Sequence, residues 1–266
     1  MSTVTSSDGT TIGYTRTGEG PAIILVDGAL CSRNFGPMGE LAGLLAPHLT
    51  VYTYDRRGRG ESGDTQPYAV EREIEDIAAL IDAAGGSAGI HGISSGAALA
   101  LKAASRLPAI TKVSGYEAPL TVDDSNPPKV DAYLSRLTAT LAEGRRGDAV
   151  ELFMRLVGTP QEAIEPMRQS PMWAALEAVA PTLRYDALLV ENPQYGKALP
   201  SDFAEQLGGL KTPALVMAGG ASPEWMRTTA KTIAQAIPSG QYRSLEGQTH
   251  EVASQAIAPI LIEFFA

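Results

Sequence analysis

Short apolar and β-branched runs alternate along the chain with longer segments whose apolar residues recur at helical spacing. The run at 22–26, AIILV, is apolar at every position and therefore predicts a strand buried on both faces. Between residues 70 and 84, apolar residues fall three or four positions apart on one helical face, and two glycines follow. This alternation predicts an α/β fold with a mostly parallel, eight-stranded sheet flanked by helices.

The same patterns predict where the individual elements lie. An N-terminal hairpin is expected to turn at Asp8 and Gly9. The predicted strands span 3–6, 11–17, 22–26, 51–54, 89–93, 112–116, 214–218 and 241–245. The predicted helices span 70–84, 95–107, 223–237 and 251–264.

Residues 120–204 interrupt the alternation of strands and helices. Strand signals vanish there, Pro127 and Pro128 mark the entry, and helix-like pieces rich in leucine and methionine follow. We therefore expect residues 120–204 to form an inserted helical cap on a core made of residues 1–119 and 205–266. Five large apolar residues of this segment are expected either to line an acyl pocket or to form the cap's own core: Phe153, Met154, Met167, Met172 and Trp173.

Composition and charge narrow the range of functions. The chain has 266 residues and a net charge of −9, so its field should repel nucleic acids and anionic membranes. Its single cysteine, Cys31, cannot form an internal disulfide, and three histidines are too few and too scattered for a structural metal site. No basic start followed by an apolar stretch and no long apolar run is present. We expect a cytoplasmic protein without an export signal or membrane anchor, acting on a small molecule with no metal or other cofactor.

The stretch 92–96, GISSG, is the most informative part of the sequence. It matches G-x-S-x-G between a predicted strand and a predicted helix, which is the context of a nucleophile elbow. The sharp turn strains the serine backbone and leaves no room for side chains two positions before and after it. Only Ser94 has glycine at both of these positions. Two positions before and after Ser95, the chain has Ile93 and Ala97.

A serine needs a base, most often a histidine, to become a nucleophile at neutral pH. Three histidines are available. His250 follows the last predicted strand and precedes the final helix, at the sheet edge where parallel sheets carry their active sites. His91 lies within the strand that leads to the elbow, which favours a buried, hydrogen-bonded histidine, and His48 lies at the opposite end of a strand. His250 is therefore the expected base.

These motifs, in this order, resemble those of an α/β-hydrolase with a cap domain. The resemblance is carried by VDGA at 26–29, YDRRGRGES at 54–62, the elbow at Ser94, PALVMAG at 213–219, and His250. It covers nearly the whole chain and is specific for the fold but only weakly specific for the substrate. In such enzymes, two backbone N–H groups hold the oxyanion, and the resemblance implies that these belong to Ala29 and Ser95.

The sequence departs from the family's pattern at three positions. Asp27 stands where the third strand usually ends in histidine, and Ile93 replaces the usual histidine of the elbow. Neither change removes a backbone donor. The third departure matters more, because Ser222 stands where many relatives carry the acid of the triad, and a hydroxyl cannot stabilise an imidazolium as a carboxylate does.

The acid must then come from elsewhere, or the triad is incomplete. Glu117 closes the predicted strand at 112–116, and some α/β-hydrolases take their acid from that strand end. A charged residue that ends an apolar strand is unusual unless it is paired. The alternative for Glu117 is a solvated side chain at the cap hinge, and Glu224 is the reserve candidate, although it is more typical of a helix start.

Two further features have structural interpretations. Cys31 lies near the proposed oxyanion loop but off the elbow, which favours a packed thiol over a nucleophile. In the loop at 54–62, the side chains of Arg56, Arg57 and Arg59 are expected to face solvent or neighbouring carboxylates, and the glycine spacing is too short for a phosphate cradle.

Together these observations favour a cofactor-independent serine hydrolase that cleaves a small to medium apolar ester or lactone through an acyl-enzyme. In that mechanism Ser94, His250 and Glu117 form the triad, with Ala29 and Ser95 as oxyanion donors. One alternative is a hydrolase of carbon–carbon, amide or thioester bonds, or a non-hydrolytic enzyme of natural-product metabolism. The other alternative is a catalytically weak homologue that binds a ligand.

Overall fold

One eight-stranded sheet forms the framework of the protein. The computed structural model describes residues 2–120, 130–190 and 201–266. The strands are β1 (Ser2–Thr5), β2 (Thr11–Thr17), β3 (Ala22–Val26), β4 (Thr50–Tyr54), β5 (Ala88–Ile93), β6 (Ile110–Tyr116), β7 (Ala214–Gly219) and β8 (Gly240–Leu245). They lie in the order β1-β2-β4-β3-β5-β6-β7-β8. β2 pairs antiparallel with β1 and with β4, and the remaining neighbours are parallel.

Helices cover the sheet and fill the interval between β6 and β7. Those before β6 are α1 (Met38–Leu45), α2 (Val70–Ala83) and α3 (Ser95–Arg106). Those between β6 and β7 are α4 (Val130–Ala142), α5 (Arg146–Leu156), α6 (Gln161–Arg168), α7 (Trp173–Val179), α8 (Leu183–Leu189) and α9 (Ser201–Gly208). The last two are α10 (Glu224–Ala236) and α11 (Ser254–Phe265).

The predicted fold class is confirmed, and all eight predicted strands are present. β2 and β3 have the predicted bounds, and β6 begins two residues earlier than its pattern suggested. Helix α1 was missed because its eight residues include two glycines, which obscure the helical pattern in the sequence.

The centre of the sheet, from β4 to β7, is buried on both faces, as the apolar run of β3 predicts. Ile24 packs in one apolar cluster with residues of α2 and α3, whereas Ile23 and Leu25 pack in another with residues of α1 and α11. Successive side chains of a strand point to opposite faces, so an uninterrupted apolar run is needed to bury both.

A third apolar cluster lies among the helices between β6 and β7. It includes Leu137 of α4, Val150 of α5, Trp173 of α7 and Leu183 of α8. Phe203 of α9 belongs instead to the cluster on the sheet. The division at residues 120 and 204 stays a prediction, and residues 121–129 and 191–200, which adjoin these boundaries, lie outside the described residues.

None of the helices in the described part of the chain combines the length and the apolar character that crossing a bilayer would require.

Candidate active site

Ser94 occupies the sharp turn between β5 and α3. Its backbone has φ 57° and ψ −127°, in a sparsely populated region that L-residues adopt only under strain. A Cβ atom on Gly92 would come within 2.1 Å of the Gly96 oxygen, and one on Gly96 within 2.2 Å of the Val26 oxygen. The two glycines of the motif therefore allow the turn and the approach of β3, as a nucleophile elbow requires.

The loop after β3 runs beside the Ser94 side chain. A Cβ atom on Gly28 would lie 3.7 Å from Ser94 Oγ, so the following peptide passes close to the serine hydroxyl. The backbone N–H groups of Ala29 and Ser95 donate to no other group in the described part of the chain. Both predicted oxyanion donors thus have free N–H groups on segments that adjoin Ser94.

His250 lies on the loop between β8 and α11, which is held in place by contacts with β6 and β7. The buried Tyr116 hydroxyl donates a hydrogen bond to the Thr249 carbonyl oxygen. The loop also packs directly on Gly219, where a Cβ atom would come within 2.3 Å of the Gln248 oxygen. The His250 side chain is 40% exposed, so a substrate can reach its ring.

Glu117 forms a hydrogen bond with His250. Its Oε2 atom lies 2.8 Å from His250 Nδ1, and its Oε1 atom accepts a hydrogen bond of 2.8 Å from the Gly219 N–H. The residue follows β6 with a φ of 48°, and its side chain is fully buried. The alternative of a solvated glutamate does not describe this residue.

The surroundings of Glu117 keep its carboxyl group ionised. Burial acts to raise its pKa, but the hydrogen bonds from His250 and Gly219 outweigh burial and hold the pKa below its ordinary value. The nearby Ser222 hydroxyl also lowers the pKa of Glu117, although its position falls outside the geometry of a hydrogen bond. Ser222 therefore lies beside the Glu117 carboxylate, while Glu224 is exposed at the start of α10.

No hydrogen bond joins Ser94 to His250 within the described ranges of the chain. Such bonds are often long without substrate and shorten when the substrate arrives. The structure thus brings Glu117 and His250 together, with Ser94 on the adjacent strand end.

The other candidate nucleophile and bases lie in environments that do not favour a catalytic role. His91 is buried beside the Ser114 hydroxyl at 2.8 Å, and burial lowers its pKa to about 3, so the ring stays neutral. His48 is exposed. Burial, together with the nearby Asp27 carboxyl group, raises the pKa of the Cys31 thiol to about 12, which leaves it a poor nucleophile at neutral pH.

The arginines of the 54–62 loop are buried and face carboxylates. Arg56 forms a bidentate pair with Glu73, and Arg57 forms one with Asp76. Arg59 donates to both oxygens of Asp186, at 2.8 and 3.0 Å. Buried arginines require such partners, because an unpaired charge in the interior is very costly.

Asp186 of α8 is a residue that sequence reasoning missed. It lies 4% exposed and also accepts hydrogen bonds from Arg56 Nη1 and Ser95 Oγ, both at 2.7 Å. Burial acts to raise its pKa, but Arg59 and Arg56 outweigh burial and hold the pKa below its ordinary value. No local signal marks Asp186, since its partners lie 91 or more residues away in the sequence.

The five large apolar residues singled out between β6 and β7 do not share one environment. Met154 and Trp173 are buried in the third apolar cluster, and Phe153 and Met167 pack against it. Met172 is 43% exposed. The cluster also includes Leu30, with Ala29 packed against it, so it adjoins the loop after β3.

We expect the buried carboxyl group of Asp27 to make the stability of the protein depend on pH. Burial raises its pKa to about 7, against the opposing effect of Arg59 and Arg56, and its Oδ1 atom has no hydrogen-bond partner within the described ranges. In the unfolded chain its pKa is about 3.9. As the pH rises from about 4 to 7, the unfolded chain releases this proton first, so the free energy of unfolding falls.

We expect Asp27→Asn to stabilise the protein by about 2–3 kcal/mol more at pH 8 than at pH 5. Denaturant unfolding of both proteins at the two pH values measures this difference. Asp82→Asn is the control, because Asp82 is exposed. An equal change in stability at pH 5 and pH 8 would contradict the assignment of the shifted proton to Asp27.

The sequence matches the family model described as "Alpha/beta hydrolase family" over residues 23–259. The chain therefore belongs to the alpha/beta hydrolase family. It is similar to an alpha/beta hydrolase from Sphaerobacter thermophilus, with 52% identity, a TM-score of 0.90 and complete coverage of both chains.

Two more distant structures share the fold. A thermophilic esterase from Thermogutta terrifontis is 22% identical, with a TM-score of 0.74 over 100% of this chain and 99% of the other. An enol-lactonase from Burkholderia xenovorans is 21% identical, with a TM-score of 0.73 over 99% of both chains. At this level of identity the likeness concerns the fold alone.

Proposed function

We propose that this protein is a cofactor-independent serine hydrolase that cleaves small to medium apolar carboxylic esters or lactones through an acyl-enzyme. The observation that carries the proposal is the 2.8 Å hydrogen bond between Glu117 and His250, with a strained Ser94 on the adjacent strand end. A buried, ionised carboxylate on Nδ1 leaves the other ring nitrogen free to accept a proton, which is the role of the base in such a triad.

The reaction proceeds in two halves. Ser94 Oγ attacks the ester carbonyl carbon while its proton passes to His250, and the Ala29 and Ser95 N–H groups bind the oxyanion. The tetrahedral intermediate collapses, and the departing alkoxide takes the proton from His250. Water then gives a proton to His250 and attacks the acyl-enzyme, which releases the carboxylic acid and restores the Ser94 hydroxyl.

The preference for an apolar acyl group is supported by the surroundings of the oxyanion loop. Leu30 belongs to the apolar cluster of the inserted helices, and Ala29 and Phe35 pack against that cluster. An acyl chain bound beside Ala29 would meet apolar side chains. The esterase and enol-lactonase that share this fold make esters and lactones the first substrates to test.

The ionised Glu117 carboxylate beside His250 also favours an enzyme over a catalytically weak binding protein. Holding a buried carboxylate against a histidine has a desolvation cost, and a ligand-binding pocket gains nothing evident from it. Amide, thioester and carbon–carbon bonds remain alternative substrates for the same residues.

The test is a series of p-nitrophenyl esters with acyl chains of two to eight carbons, together with a set of simple lactones. We expect measurable turnover, with kcat/KM rising by up to about fourfold for each added methylene until the site is filled. A folded protein that hydrolyses no ester or lactone would contradict the proposal, and turnover of amides or thioesters alone would favour the alternative substrates.

A further inference from the structure

A buried hydrogen-bond network lies behind the two proposed oxyanion donors. Asp186 accepts hydrogen bonds from Ser95 Oγ at 2.7 Å and from Arg59 Nη2 at 2.8 and 3.0 Å. Arg59 in turn donates from Nη1 to the Gly28 carbonyl oxygen at 2.5 Å and to the Cys31 carbonyl oxygen at 3.1 Å. One carboxylate and one guanidinium thus connect the elbow to the loop after β3.

The contact with the Gly28 carbonyl bears directly on the oxyanion site. The Gly28 oxygen and the Ala29 N–H belong to the same peptide group, which is planar and carries them on opposite sides. When Arg59 holds the oxygen on the buried side, the Ala29 N–H faces the other way. A charged donor on the oxygen also polarises the peptide and makes its N–H a stronger donor.

The residue that carries the second proposed donor, Ser95, is bound to the same carboxylate. Ser95 is the first residue of α3, and its side chain is tied to Asp186 while its N–H donates to no other group of the described chain. Arg56 adds a further hydrogen bond to Asp186 at 2.7 Å and a longer one to the Asp27 carbonyl oxygen at 3.3 Å. Asp186 of α8 is therefore connected to both donors, directly to Ser95 and through Arg59 to the Gly28–Ala29 peptide.

We propose that Arg59 and Asp186 are positioning residues of the oxyanion hole, Arg59 acting through the Gly28–Ala29 peptide and Asp186 through Arg59 and Ser95. This inference rests on the proposed function, because it assigns a task to the N–H groups of Ala29 and Ser95. Neither side chain touches the substrate. Their effect should appear where negative charge develops on the substrate oxygen, and less in substrate binding.

The chain offers a matched control in Arg57. It is as deeply buried as Arg59 and is paired with Asp76 and Asp8, yet it donates to no atom of the loop at 27–31. Arg57→Lys and Arg59→Lys therefore both keep a buried positive charge and both lose the guanidinium fork. Only Arg59→Lys disturbs the Gly28 carbonyl.

The experiment compares the two variants with the wild type in p-nitrophenyl ester turnover and in binding of an alkyl trifluoromethyl ketone. Addition of Ser94 to this ketone gives a hemiketal, whose ionisation can be followed by ¹⁹F NMR. We expect Arg59→Lys to lower kcat by about 10- to 100-fold, with KM changed less than threefold. The hemiketal pKa should rise by about one unit or more, since its oxyanion loses stabilisation.

Arg57→Lys should lower the Tm while leaving kcat and the hemiketal pKa near their wild-type values. A folded Arg59→Lys variant with wild-type kcat and hemiketal pKa would overturn the inference. Equal loss of kcat in both variants would also overturn it, because the effect would then be general destabilisation.

Ser95→Ala keeps the inference testable if Arg59→Lys does not fold. It removes the hydroxyl bound to Asp186 but retains the backbone donor, so we expect a 3- to 10-fold loss of kcat with a raised hemiketal pKa. An unchanged pKa in this variant would count against the role of Asp186. A wild-type protein that forms no hemiketal on Ser94 would overturn the proposed function, and the inference with it.

Discussion

Replacement of Ser94 with alanine should reduce turnover of a p-nitrophenyl ester by about 10⁴-fold or more, to the level of the assay background. Alanine removes the attacking oxygen but keeps the Cβ atom, so the strained backbone at φ 57° is unchanged and the fold should be retained. Steady-state kinetics and thermal unfolding of the same preparation measure both quantities.

The neighbouring serine provides the comparison for this result. Ser95→Ala changes the adjacent residue and is expected to lose no more than about tenfold, because the Ser95 backbone N–H remains. If Ser94→Ala retained turnover while folded, or if Ser95→Ala lost as much, the nucleophile would have been wrongly assigned.

Replacement of Glu117 with glutamine should lower kcat by about 10²- to 10⁴-fold with a much smaller change in KM. The amide is close in shape, but it presents no negative charge to His250 and permits the wrong ring tautomer. Because the Glu117 pKa lies below its ordinary value, the wild-type carboxylate stays ionised through the neutral range and the loss should persist there. A pH profile of kcat for both proteins measures this.

Glu224→Gln is the matched control, since it makes the same chemical change at the exposed start of α10. We expect its kcat to remain within about twofold of the wild-type value, as surface substitutions usually have small effects. A severe loss in Glu224→Gln with a mild one in Glu117→Gln would reverse the assignment of the acid.

Much of the fold was predictable because burial on two sheet faces leaves a strong sequence pattern. The apolar run of β3 predicted that strand, and the motif at 92–96 predicted the turn and the start of α3, without any tertiary information. Helix α1 was not predicted, because its glycines weaken the helical pattern in the sequence. Tertiary packing of residues such as Leu41 and Leu45 compensates for the low helix propensity of these glycines.

The candidate site was predictable to the extent that its residues lie at strand ends. Ser94, Glu117 and His250 each follow a strand, and strand ends of a parallel sheet meet at one edge. The role of Asp186 has no such signal. It depends on α8 packing against Arg59 and Ser95, which are distant in sequence, and only the tertiary structure brings these groups together.

The burial of the arginines in the 54–62 loop also could not be predicted from the sequence. The sequence predicted only that Arg56, Arg57 and Arg59 face either solvent or carboxylates, because an arginine-rich loop is ordinarily exposed. Burial becomes acceptable only when long-range partners such as Asp76 and Asp186 supply compensating charge. That compensation cannot be read from residue spacing.

The central claim is that the Glu117–His250 pair activates Ser94, and covalent labelling tests it most directly. The wild type and Glu117→Gln would be exposed briefly to an alkyl fluorophosphonate, and intact mass followed by peptide mapping would locate the adduct. We predict a single adduct on Ser94, formed about 10²-fold or more slowly in Glu117→Gln. A folded wild-type protein that forms no adduct on Ser94, or that labels no faster than the variant, would contradict the claim.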